Sequence, residues 1–158
     1  MKYTSAKDLM TSDVKVVEAD WPLDRVAGFL VEHDISGAPV VEEDNTLVGV
    51  ISLTDLARHD SVSGDRTSSE RPAAYYRNEL EHLYAEEEVD QLRVWEGNEA
   101  TAREAMTDEI YDVSEHTSIQ QVAQVMYRGR IHRVFVTANG DIQGVITARD
   151  MLRVIAES

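Results

Sequence analysis

Two stretches of this chain read as copies of one another. "GVISLTDL" spans residues 49–56 and "GVITARDM" spans residues 144–151, 95 positions apart. Upstream, "AKDLMTSDV" (6–14) matches "AREAMTDEI" (102–110), and "DISGAPVV" (34–41) matches "RIHRVFVT" (130–137), both at an offset of 96. One residue is therefore lost between "VEEDNTLVG" and "TANGDIQG", where a hairpin turn belongs. Asn139-Gly140 between apolar strands predicts a tight turn with positive φ. A chain built by duplication must satisfy one element order twice, which leaves few architectures open.

Each copy reads alike. A short helix ends at Met10 or Met106, and an extended segment follows ("VKVVEAD", "IYDVSEH"). An amphipathic helix comes next, with Leu23, Val26, Ala27 and Leu30 on one face of the first copy. Ile119, Val122, Ala123 and Met126 repeat that spacing in the second. Asp20 is the expected N-cap of the first of these helices, with Pro22 in its first turn. Two strands and a last helix opening near Asp55 or Asp150 complete the order β-α-β-β-α, a mixed α+β class. The expected boundaries are a first repeat over 1–60, an insert over 61–101 and a second repeat over 102–158. In the insert, "HDSVSGDRTSSERP" reads as a loop and "AAYYRNELEHLYAEEEVDQL" as a helix. Tyr76, Leu80 and Leu83 or Tyr84 lie on one side of that helix and are expected to pack onto the second repeat. Trp21 and Trp95 are read as packing residues.

Composition narrows the function. Apolar residues make up 42% of the 158, enough for a core. The net charge of −15, with only three lysines, opposes non-specific binding to nucleic acid, which needs a basic surface. The acids read either as a well-solvated surface, of the kind a salt-loving source uses, or as an acidic docking face. With no cysteine, thiolate metal sites and disulfides are excluded. No apolar run approaches the ~20 residues of a membrane span and no secretory leader is evident, so a cytoplasmic, membrane-free location is the default expectation. Ser-His-Asp spacing, HExxH, a P-loop and GxGxxG after a strand are all missing, so no enzyme is expected. His33, His59, His82 and His116 lack metal-ligand spacing and read as surface or packing residues.

The repeated turn has a chemistry of its own. An aspartate where a strand enters a helix can accept both hydroxyls of a ribose diol. The hydroxyl three residues earlier stands near the same helix N-terminus, whose N–H groups favour an anion. Strand-edge valine and alanine, with backbone donors and acceptors, suit an adenine ring. Asp55 and Asp150 would serve equally well as helix N-caps. "RGRIHRV" gathers Arg128, Arg130, His132 and Arg133 in an otherwise acidic chain. His132 and Arg133 are read as phosphate contacts, since arginine offers a planar fork of donors. Arg128 and Arg130 are expected to pair with surface acids.

The segments "DLM…VVEAD…ISGAPVVEEDNTLVGVISLTDL" and "EAM…DVSEHTSI…IHRVFVTANGDIQGVITARDM" resemble the CBS domain, the repeat named for cystathionine beta-synthase. It usually comes as a tandem, pseudo-two-fold pair called a Bateman module. The resemblance implies a regulatory module that binds adenosine-containing ligands: AMP, ADP, ATP or S-adenosylmethionine. In the family a Gly-φ-φ-Ser/Thr-x-x-Asp signature supplies ribose and phosphate contacts. It implies one cleft built from Thr147, Arg149 and Asp150 with Lys15, Val16, Ser36, Gly37 and Ala38. The other would use Ser52, Thr54 and Asp55 with Tyr111, Asp112, His132, Arg133 and Val134. Ile-His-Arg resembles the phosphate-contacting segment of the gamma subunit of the AMP-activated kinase.

The two sets differ. Ser36-Gly37 stands where the second repeat has His132-Arg133, and Pro39 where it has Phe135, which would reshape one pocket. Asp112 would discourage a long phosphate chain unless a metal such as magnesium accompanies it, so one competent site is expected more readily than two. The family's modules commonly stack as disc-like dimers through their helices, so a homodimer acting in trans on a partner protein is implied. The alternative is a structural module with no physiological ligand.

Overall fold

The computed structural model describes residues 2–61, 74–77 and 100–158. They form two three-stranded sheets of identical topology. In the first, β1 (Val17–Glu18) runs parallel to β2 (Gly37–Val41), which pairs antiparallel with β3 (Leu47–Ser52). In the second, β4 (Asp112–Ser114), β5 (Arg133–Ala138) and β6 (Asp141–Thr147) repeat the arrangement. Both parallel pairs need a helical crossover. These are α2 (Leu23–Glu32) and the later helix Ile119–Gly129; α3 (Leu53–Ser61) and the last helix, Ala148–Ala156, follow the hairpins. Short helices occupy Ala6–Leu9 (α1), Ala74–Arg77 (α4) and Ala102–Ala105 (α5), so the two long helices of the second repeat are α6 and α7. The order β-α-β-β-α holds in both copies.

The chain divides into two compact units that are not contiguous in sequence. One holds Lys15–Tyr75 and Glu79–Ile110; the other holds Met1–Val14, Tyr76–Asn78 and Tyr111–Ser158. The short helices are exchanged: α5, ahead of the second repeat, packs with the first sheet, and α1 packs with the second. In the first-sheet unit the amides of Ala102 and Arg103 donate to the carbonyls of Trp21 and Ala19, both at 2.9 Å. Val50 and Thr107 exchange two backbone hydrogen bonds of 2.9 Å. In the second-sheet unit Ala6 and Lys7 donate to Thr117 and Glu115 (2.8 and 3.0 Å), while Thr11 and Val145 exchange bonds of 2.9 and 3.0 Å.

The core of the first-sheet unit is the apolar face of α2 against the sheet and α5. Leu23, Val26, Leu30, Val40, Ile51, Leu56 and Ala102 are fully buried. Each of the larger of these side chains contributes about 1.5–3 kcal/mol relative to exposure. In the second-sheet unit Val122, Val134, Phe135, Val136 and Ile146 are likewise fully buried. Of the expected apolar face of α6, Val122 and Met126 are buried, whereas Ala123 is exposed.

Three local expectations need correction. The N-cap of α2 is Pro22 and not Asp20, because residues 21–23 are held extended: Pro22 bridges Thr101, and the Leu23 amide donates to Ala100 at 3.1 Å. Its counterpart Ser118 does cap α6, accepting from the Gln121 amide at 3.2 Å. Second, Arg128 and Arg130 join no ion pair among the described residues. Arg130 instead takes the left-handed C-cap position of α6, at φ 55°. Third, Asp55 and Asp150 sit in the first helical turn and not at the cap itself, as described below.

The Asn139-Gly140 turn forms as expected, with φ 55° and 85°. Pro39 also explains why β1 is shorter than β4. At the matching position the Phe135 amide donates to Tyr111 at 3.0 Å, a bond proline cannot make.

Candidate functional site

The two hydroxyl–x–x–Asp turns have the same geometry. The Asp55 carboxylate accepts from the Ser52 amide at 2.9 Å and the Ser52 hydroxyl at 3.1 Å, and the Asp55 amide donates back to Ser52 Oγ at 3.3 Å. For Thr147 and Asp150 the three distances are again 2.9, 3.1 and 3.3 Å. Both are capping boxes with the acid in place of the more usual glutamate. In each aspartate the oxygen Oδ2 is therefore committed to the cap, so a diol can meet only Oδ1.

The two Oδ1 atoms differ. That of Asp55 accepts a long hydrogen bond, 3.4 Å, from the Thr107 hydroxyl, and the residue is only 8% exposed. Burial pushes the Asp55 carboxyl above its usual range, partly opposed by the Ser52 hydrogen bonds, the Arg58 charge and the Thr107 hydroxyl. Asp150 Oδ1 lies 3.8 Å from the Arg153 guanidinium, and its side chain is 15% exposed. The anion site expected at these helix starts is also narrowed. The Leu53 and Ala148 amides donate to the carbonyls of Ser36 and His132, at 2.9 and 2.8 Å.

In the second-sheet unit Arg133 is the register partner of Thr147, and Val134 of Ile146. Tyr111, His132, Arg133, Val134, Thr147, Arg149 and Asp150 thus belong to one unit, gathered about one end of the β5–β6 hairpin and the start of α7. His132 and Arg149 are exposed, Arg133 and Tyr111 half-buried, and Val134 buried. Asp112 has a structural partner, accepting from the Thr137 hydroxyl at 2.6 Å on the neighbouring parallel strand. The first-sheet unit holds Lys15, Val16, Ser36, Gly37, Ala38, Ser52, Thr54 and Asp55. There Gly37 is the register partner of Ser52. Lys15 is exposed, Val16 and Ser36 half-buried, and Gly37, Ala38 and Ser52 buried.

The tyrosines of α4 lie on these same residues. Tyr76 is fully buried and stacks edge-on against Tyr111, ring centres 4.8 Å apart, and against Phe135 at 6.0 Å. This is the packing onto the second repeat that its helical spacing predicts. Tyr75 lies in the first-sheet unit over Gly37, where an added Cβ would come within 2.8 Å of its Cδ2. Trp21 packs as expected, edge-on to Phe29 and under the Arg25 guanidinium, at 5.3 and 4.0 Å. His33 stacks on Phe29 and His116 is exposed beside Glu115. The side chains of His59, Leu80, His82, Leu83, Tyr84 and Trp95 fall outside the described residues.

The residues missed by sequence reasoning are the glycines and methionines of the repeat. A Cβ on Gly49 would meet the Thr107 carbonyl oxygen at 2.6 Å and Met106 Sδ at 2.8 Å. On Gly144 it would meet Met10 Sδ at 2.6 Å and the Thr11 carbonyl at 2.8 Å. The signature glycine thus admits the Met-Thr bridge of the exchanged segment. The signal is Met-Thr at 10–11 and 106–107, repeated 96 positions apart, beside glycines repeated 95 apart.

The family model for the CBS domain matches residues 6–61 and 102–157, the two β-α-β-β-α units with their leading helices. The chain belongs to the CBS domain family. Among CBS relatives, Hypoxic response protein 1 of Mycobacterium tuberculosis is 26% identical over 154 residues, covering 98% of this chain and 87% of that protein. The CBS domain of a CBS domain-containing membrane protein from Sphaerobacter thermophilus has a TM-score of 0.66 and 32% identity, covering 96% of this chain and 88% of that one. The CBS protein CBSX2, solved in complex with AMP, has a TM-score of 0.66 and 23% identity, covering 98% and 97%. At that identity the likeness to CBSX2 speaks for the fold. Among the described residues no CBS helix is long and apolar enough to cross a membrane.

Proposed function

We propose that this chain is a regulatory module that binds an adenine nucleotide (AMP, ADP or ATP) or S-adenosylmethionine, and acts in trans on a partner protein as a homodimer. The observation that carries this reading is the register pairing of Arg133 with Thr147 at the mouth of a capped helix. This departs from the crossed clefts that the resemblance implies: Arg133 and Asp150 belong to one unit, where Arg133 would take a phosphate through its planar fork and Asp150 Oδ1 a ribose hydroxyl. Thr54, Asp55, Lys15, Val16 and the Ser36–Ala38 strand start are assigned to ligand on the family resemblance. The deeper burial of Asp55 and the Thr107 hydroxyl on its Oδ1 make Asp150, whose Oδ1 lies 3.8 Å from Arg153, the better ribose acceptor, which favours one competent site over two. The complex of the similar protein CBSX2 with AMP supports the choice of ligand class.

A second reading, a structural module without a ligand, is favoured by one observation. Both hydroxyl–Asp pairs are fully explained as helix caps. Calorimetric titration of the pure protein with AMP, ADP, ATP and S-adenosylmethionine, with and without magnesium, decides between the two. Binding tighter than millimolar by any of these ligands supports the regulatory reading; none at any salt concentration overturns it.

A further inference from the structure

We propose that Tyr76 is an intramolecular occupant of the base-binding slot beside Tyr111 and His132, so that an adenine ligand enters there only by displacing it. The inference rests on the nucleotide reading above and adds a competitor built into the insert. An adenine ring needs an apolar slot and backbone groups for its ring nitrogens and amine. Tyr76 meets both demands. Its ring is fully buried between Tyr111 and Phe135. The His132 amide donates to its carbonyl oxygen at 2.7 Å, and the Tyr111 amide to its hydroxyl oxygen at 3.3 Å.

A residue serving only as core needs no hydroxyl, and phenylalanine would fill this volume without it. Here the phenol oxygen satisfies a backbone donor at the very residue expected to face the ligand. The neighbouring tyrosine makes a related contact in the other unit, where Tyr75 covers Gly37, another expected ligand residue. Arg133, on the same strand as Phe135, remains in place for a phosphate whether the ring or an adenine fills the slot.

Self-occupancy weakens apparent affinity by the fraction of molecules in which the slot is open. A slot open in about one molecule in a hundred costs about a hundredfold in Kd. Release of Tyr76 also couples ligand binding to rearrangement of α4, giving the module a signal to transmit.

The test titrates AMP into the wild type, Tyr76→Ala and Tyr76→Ala/Arg133→Ala by calorimetry. The expected result is a gain in AMP affinity of at least about tenfold in Tyr76→Ala that Arg133→Ala removes. Equal AMP affinity in the wild type and Tyr76→Ala overturns the competitor role and leaves the nucleotide reading standing. No AMP binding to any variant overturns both. Because Tyr76→Ala empties a buried site, a second measurement uses the unmutated fold. With 3-fluorotyrosine incorporated and the Tyr76 signal assigned through Tyr76→Phe, saturating AMP should move that signal to the position of an exposed tyrosine. An unmoved signal at AMP saturation overturns the proposal.

Discussion

The carbonyl oxygen of Thr107 stands 2.6 Å from where a Cβ on Gly49 would lie. The obstacle is backbone within a reciprocal hydrogen-bonded bridge to Val50, so it cannot step aside as a flexible side chain would. Gly49→Ala should destabilise the protein by about 1–3 kcal/mol, the usual penalty of overpacking. Gly28 is the control: it lies inside α2 with nothing within 4 Å of its added Cβ. Gly28→Ala should stabilise by about 0.5–1 kcal/mol, since glycine is the poorer helix former. Urea midpoints of the two variants check the opposite signs.

The Thr147 cap should report on stability independently of any ligand. Thr147→Ala removes the acceptor for the Asp150 amide and should cost about 0.5–2 kcal/mol, while Thr147→Ser should cost far less. Ser52→Ala should cost at least as much as Thr147→Ala, because Ser52 is fully buried and the loss takes one hydrogen bond from a desolvated carboxylate and the acceptor from the Asp55 amide. Chemical denaturation at neutral pH measures all three.

Two aspartates should give opposite pH signatures. The Asp55 carboxyl is raised by burial, so its folded state holds its proton more tightly than the unfolded chain. Its contribution is fully present below the unfolded value of 3.8 and is lost as pH rises through the folded value. Asp8 is lowered to about 2, first by the Thr4 amide and hydroxyl and then by the Ser5 amide. Its contribution is present above 3.8 and is lost as pH falls through about 2. Relative to the wild type, Asp55→Asn should therefore gain stability as pH rises from acid to neutral, and Asp8→Asn should lose it. Urea midpoints between pH 2 and 7 read both slopes; parallel curves would contradict the assignment.

Ligand chemistry should separate Arg133 from Asp150. Arg133→Ala should weaken AMP more than adenosine, because only AMP presents a phosphate to the guanidinium. Asp150→Ala should weaken both ligands alike, since both carry the ribose, and should also cost cap stability. Calorimetry against the two ligands, paired with melting curves, resolves the patterns. Equal losses of AMP and adenosine affinity in Arg133→Ala would contradict a phosphate role.

Helix α7 leaves Leu152 and Ile155 at 64% and 72% exposed, and none of its residues is buried. On the homodimer reading these side chains face a second copy. Leu152→Glu/Ile155→Glu should then convert dimers to monomers by sedimentation while changing the unfolding free energy of the monomer by no more than about 0.5 kcal/mol in urea.

Much of the architecture was legible because duplication states each element twice. The Asn139-Gly140 turn, the apolar face of α2 and the helix endings at Met10 and Met106 all follow from local pattern. Their physics is short-range: backbone dihedral preference and helical periodicity. The cap of α2 was misplaced for the complementary reason. Asp20 is a good capping residue locally, but strand-like pairing of Pro22 with Thr101 holds the chain extended until Leu23.

The candidate site residues divide in the same way. Sequence alone marked Ser52, Asp55, Thr147 and Asp150 through a repeated spacing, and that spacing also determines that each pair can close a capping box. Only the tertiary structure decided that Thr107 reaches Asp55, that Gly49 and Gly144 admit the Met-Thr bridges, and that Tyr76 packs edge-on against Tyr111. These contacts join residues far apart in the chain. No local preference encodes them, because they depend on which unit each short helix joins and on how closely two backbones can approach.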